Sequence, residues 1–80
     1  MRNNIMVLAF VMISCDYGQE KRVIDEMRSL IPVTQIDETV GVYDIVATVE
    51  SKTLDKVKET ISTKIQKIGN VRSTMTLFVN

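Results

Sequence analysis

The sequence predicts an α+β chain of ferredoxin-like plan, βαββαβ, with a four-stranded antiparallel sheet and two helices on one face. Three observations lead there. Four segments carry apolar residues as a short continuous run or in strand-like alternation, and two carry them at helical spacing. These six segments follow one another as strand, helix, strand, strand, helix, strand. A single glycine turn at Gly41 joins the middle pair so closely that they must form a hairpin.

The first strand spans Ile5 to Ser14 and is almost wholly apolar, with neither Gly nor Pro. A half-exposed strand would alternate, so this one needs cover on both faces. Asp16-Tyr17-Gly18-Gln19 breaks the run, and Asp16 is the candidate N-cap of a helix. Val23, Ile24, Met27, Leu30 and Ile31 then form one stripe, which Pro32 ends. Val33 to Val40 reads as the second strand, and Asp44 to Glu50 as a β-branched third strand. Thr53 is the N-cap of the second helix. Its stripe is Leu54, Val57, Ile61, Ile65 and Ile68, closed by Gly69-Asn70, both tolerant of left-handed backbone. In the last strand, Val71, Ser73, Met75, Leu77 and Val79 share one side, and Arg72, Thr74, Thr76 and Phe78 the other. Right-handed crossovers put the first and third strands in the centre, with both helices on one face. The opposite face, apolar along the first strand, is then left for another molecule to cover.

Eighty residues make one domain, 1–80, without internal repeat or linker. A chain this short hides only about 60–65% of its unfolded surface, which favours a partner subunit. Ten basic and ten acidic residues balance, so no electrostatic footprint for nucleic acid exists, and no basic run suits a membrane surface. The apolar run at the start is too short to span a bilayer. Cys15 is the single cysteine; this excludes an intrachain disulfide and fits a cytoplasmic location. Histidine is absent, so Cys15 has no imidazole base and reads as an inert thiol. Met1, Met6, Met12, Met27 and Met75 read as gap-fillers of core or interface rather than metal ligands. With no His, no phosphate-cradling glycine loop and no catalytic carboxylate pair, the expectation is no enzyme, no catalytic residue, no metal and no cofactor.

Val40-Gly41-Val42-Tyr43-Asp44-Ile45 is the segment with the clearest chemistry. A carboxylate at the mouth of a glycine turn, beside backbone N–H groups, matches both charges of a zwitterion such as a free amino acid. Burying the ammonium of such a ligand requires a carboxylate like that of Asp44. The plainer role for Asp44 is to cap the turn backbone. Gly41 serves the turn either way, and Tyr43 can wall a pocket or pack on the sheet. Arg72 can pair with Asp44 or with a neighbouring subunit.

The chain resembles the effector-binding (RAM) domain of the Lrp/AsnC family of feast/famine transcription regulators. The features that carry the resemblance are the apolar first strand, Gly41-Val42-Tyr43-Asp44-Ile45, and the ending Val71-Arg72-Ser73-Thr74-Met75-Thr76-Leu77. It extends from Met6 to Val79. Val42 stands where the family often has an acidic residue, and Gly69-Asn70 where it usually has Pro-Gly. In that family the domain usually follows a helix-turn-helix DNA-binding domain; with nothing before the first strand here, the expectation is a stand-alone version with no helix-turn-helix domain and no direct DNA binding. The resemblance implies homodimers joined through the open sheet face, and an octameric or decameric ring in which an amino acid binds between dimers. The implied ligand-binding residues are Gly41, Val42, Tyr43, Asp44, Thr74 and Thr76. The implied function is amino-acid sensing that modulates transcription, with a full-length Lrp/AsnC regulator as a partner. The alternative is an oligomerisation scaffold with a degenerate pocket and no ligand.

Overall fold

The computed structural model describes residues 5–79; Met1 lies outside them. The elements are β1 (Val7–Cys15), α1 (Glu20–Met27), β2 (Val33–Glu38), β3 (Ile45–Ser51), α2 (Leu54–Glu59) and β4 (Val71–Val79). Beyond Glu59 the second helix continues as a π turn over Thr60–Lys64 and a 3-10 turn over Ile65–Lys67. The strands form one antiparallel sheet in the order β2-β3-β1-β4. The first and third strands are therefore central, as right-handed crossovers require.

Cross-strand register decides which side chains share a face. On β1, Ala9, Val11, Ile13 and Cys15 are buried, and Ile45, Ala47 and Val49 of β3 join them. Val23, Ile24 and Met27 of α1, and Val57, Ile61, Ile65 and Ile68 of the second helix, close over this face. Leu8, Phe10 and Met12 point the other way. They lie level with Glu50, Thr48 and Val46 of β3 and with Val79, Leu77 and Met75 of β4. The unbroken apolar run of β1 thus serves two different surfaces, one already covered and one open.

The second helix departs from α geometry for a local reason. Thr60 Oγ1 donates to Lys56 O at 2.8 Å, Ser62 Oγ to Lys58 O at 3.0 Å, and Thr63 Oγ1 to Glu59 O at 2.6 Å. Hydroxyls that bond the carbonyl four residues back compete with the backbone and bend a helix. Three of them within four positions coincide with the π turn. Thr53 caps the start as its sequence position predicts, its hydroxyl accepting from the Lys56 N–H at 3.1 Å. Asn70, at φ 77, supplies the left-handed residue before β4.

Several boundaries differ from the sequence expectation. α1 ends at Met27, and Ile31 is 93% exposed rather than on the helix stripe. The chain needs those residues to turn, with Leu30 N–H on Met27 O and Val33 N–H on Leu30 O. Asp16 does not cap α1; Gln19 holds that position without a side-chain bond, and Asp16 instead accepts from Asn70 Nδ2 at 3.1 Å. β2 stops at Glu38, whose partner is Ile45, so Val40 lies in the loop and is fully exposed. Leu54 is exposed at the head of the second helix. β1 begins at Val7 and leaves Ile5 exposed. Finally, a register shift between Ser14 and Cys15 pairs Cys15 with Val71. This bulge turns Val71 onto the core face, away from Ser73, Met75, Leu77 and Val79.

Candidate functional site

The loop between β2 and β3 runs from Thr39 to Asp44 and is closed at its base. The Thr39 N–H donates to Asp44 O at 2.9 Å, and the Thr39 hydroxyl donates to Tyr43 O at 2.7 Å. Gly41 sits at φ 139, a backbone region that side chains disfavour. Space is not the constraint there, because a Cβ at Gly41 would meet nothing within 4 Å. Gly41 and Val42 form the exposed tip, while Tyr43 and Asp44 are half-buried. Among the described residues, the N–H groups of Gly41, Val42 and Tyr43 donate to no protein acceptor.

Asp44 turns back toward the sheet. Its N–H donates to Ile13 O at 2.8 Å, and its Oδ2 accepts from the Cys15 N–H at 2.9 Å. β3 pairs with β1 only as far as Ile13, so the next inward N–H of β1 lacks a backbone partner. The Asp44 carboxylate supplies it, which satisfies a donor that would otherwise be stranded. This link joins residues 29 apart in the chain, and no local sequence signal announces it. The Cys15 side chain also hydrogen-bonds this carboxylate, which has about four acceptor sites and so keeps room for a further donor.

The Cys15 thiol lies against this carboxylate. Burial, then the charges of Asp44 and Glu20, push its pKa up to about 11. Cys15, Glu20 and Asp44 present their ligand-type atoms within 4.8 Å of one another. Glu20 is the member of this group that sequence reasoning missed, since only the fold brings the start of α1 beside Asp44.

Thr74 and Thr76 lie on the helix-facing side of β4, opposite Ile13 and Val11. Both are half-buried, and the Thr74 hydroxyl accepts from Gln66 Nε2 at 3.0 Å. β1 separates them from β3, a distance of about 10 Å at two strand spacings. One chain therefore brings Gly41, Val42, Tyr43 and Asp44 together, but leaves Thr74 and Thr76 apart from them. Arg72 points to Asp16, at 4.0 Å between exposed side chains, and not to Asp44.

The Lrp/AsnC ligand-binding domain model matches residues 8–80. The chain belongs to the Lrp/AsnC family. Among solved structures, FFRP-DM1 is 27% identical at a TM-score of 0.88, with 92% of this chain and 99% of that one covered. AsnC of E. coli is 30% identical at a TM-score of 0.85; the match covers 91% of this chain and 50% of AsnC. A transcriptional regulator of Neisseria meningitidis in complex with L-Met has a TM-score of 0.81 at 14% identity, with 92% and 49% covered; that likeness is one of fold. No curated protein matches the sequence. Lrp/AsnC domains of this type are regulatory and bind effectors, and the chain shares their fold throughout. No helix among the described residues is long and apolar enough to cross a membrane.

Proposed function

We propose that this Lrp/AsnC domain is an amino-acid-sensing module that dimerises through its open sheet face and assembles further, with the effector held between dimers at the Gly41–Asp44 turn. The observation that carries the reading is the pairing of free N–H groups at Gly41, Val42 and Tyr43 with a carboxylate at Asp44 whose acceptor sites the Cys15 N–H and thiol do not fill. A ligand carboxylate suits the first and an ammonium the second. Charge-assisted bonds of this kind are roughly twice as strong as neutral ones. The L-Met complex of the Neisseria regulator supports the ligand class. The wide separation of Thr74 and Thr76 from the turn supports a site completed by a second copy. Output then passes through a partner, a full-length regulator of the same family entering a mixed oligomer.

The scaffold reading has one observation in its favour: Asp44 already has a structural duty on the Cys15 N–H. A calorimetric screen of the twenty amino acids, with light scattering in parallel, separates the two. The sensing reading expects saturable heat for at least one amino acid and a rise in assembly size with it. Heat from none of the twenty supports the scaffold and defeats the sensor.

A further inference from the structure

The helix-bearing side carries a groove that the Gly41–Asp44 turn does not use. It opens where the end of α1, the chain entering β2 and the second helix meet, and it has a volume of about 560 Å³. That volume is within the range of small-molecule pockets, roughly 300–1,000 Å³. Met6, Leu30, Ile31 and Pro32 give it an apolar lining, and Lys52, Lys56 and Lys64 surround them. A single exposed Ile is ordinary on a protein surface. Four apolar residues in one concavity that three lysines also line are not.

Charge narrows the occupant. Among the described residues, the one acid lining the groove is Glu50, and its carboxylate accepts from the Thr34 hydroxyl at 2.7 Å. Lys56 is held loosely by Glu59 at 3.4 Å, while Lys52 and Lys64 make no ion pair among the described residues. The helix geometry adds an independent observation. Thr60 and Lys64, which both line the groove, are the first and last residues of the π turn. Such π turns concentrate at functional sites.

We infer that this groove binds a small amphipathic anion, a monocarboxylate whose head is held by Lys52, Lys56 and Lys64 and whose aliphatic body lies on Met6, Leu30, Ile31 and Pro32. Lys56, Thr60 and Lys64 follow one ridge of the second helix, but the groove they border holds only about 560 Å³, which suits a compact ligand better than an extended acidic peptide. The inference does not depend on the effector turn, and either can fail without the other.

The test is an amide NMR titration of the intact chain with sodium octanoate, octan-1-ol and octylammonium chloride. Octanoate is expected to shift the amides of Leu30, Ile31, Lys52, Thr60 and Lys64, to leave Gly41 to Asp44 in place, and to bind more weakly as salt is added. Lys64→Glu is expected to weaken octanoate binding by about fivefold or more. All four lysines concerned are exposed, so these variants fold, and Lys21→Glu on α1 is the charge-matched control expected to leave binding unchanged. Three results overturn the inference: octanol binding as tightly as octanoate, shifts centred on Phe10, Met75 and Leu77 of the open sheet face, or no response at millimolar octanoate.

Discussion

Asp44 ends the loop one residue before β3, yet its hydrogen bonds tie it to β1 of the sheet. Removing its carboxylate strands the Cys15 N–H, and a stranded buried donor costs about 1–3 kcal/mol. Asp44→Ala is therefore expected to lower unfolding stability by that amount in urea titrations. Asp44→Asn keeps a carbonyl oxygen as acceptor and should lose less than about 1 kcal/mol, yet it removes the charge that an effector ammonium requires. Comparing the two variants separates scaffold from site. Gly41 is strained for any residue with a side chain, so Gly41→Ala is expected to cost about 1 kcal/mol or more in the same assay. Cys15 makes a pH prediction. Its protonated thiol is favoured in the folded chain, with a pKa raised from 9.0 to about 11. In that window the folded chain binds the extra proton, so this contribution is full below about pH 9 and is lost as pH rises towards 11. Urea midpoints of the wild type should fall more than those of Cys15→Ala over that interval; equal falls would contradict the assignment.

At the scale of elements, most of the plan was legible because each segment carries its own period. The stripe of Val57, Ile61, Ile65 and Ile68 is buried as its spacing predicts, and the apolar run of β1 occupies the sheet centre. What could not be read depended on other segments. Ile31 leaves the helix stripe because the chain must turn into β2, and Val40 leaves β2 because Glu38 is the last residue to find a partner. Val71 changes face through a bulge that only the pairing of β1 with β4 reveals. The conformation of Gly41 was legible from residue type, whereas the bond from Asp44 to the Cys15 N–H was not. The hydroxyl cluster on the second helix yields a test. Ser62 and Thr63 are exposed, and alanine is the better helix former at both by a few tenths of a kcal/mol. Ser62→Ala with Thr63→Ala is expected to raise stability by about 0.5 kcal/mol in urea unfolding.

For the whole molecule, the open sheet face is the dominant fact. Leu77 is 51% and Met75 47% exposed, beside Phe10 and Val79, on a surface that water should not be left to cover. On the proposed reading a second copy covers it. Leu77→Glu should then yield a folded monomer in sedimentation equilibrium where the wild type is dimeric, because Leu77 contributes nothing to the covered core of one chain. On the same reading, such dimers present the Gly41–Asp44 turn to one another as an effector site. An amide NMR titration of the wild-type chain with each of the twenty amino acids, read at Gly41, Val42, Tyr43 and Asp44, tests this. At least one amino acid is expected to shift these four amides saturably, and Asp44→Asn to abolish the response. Amides of the turn that stay unmoved by every amino acid, or a response that survives in Asp44→Asn, would contradict that reading.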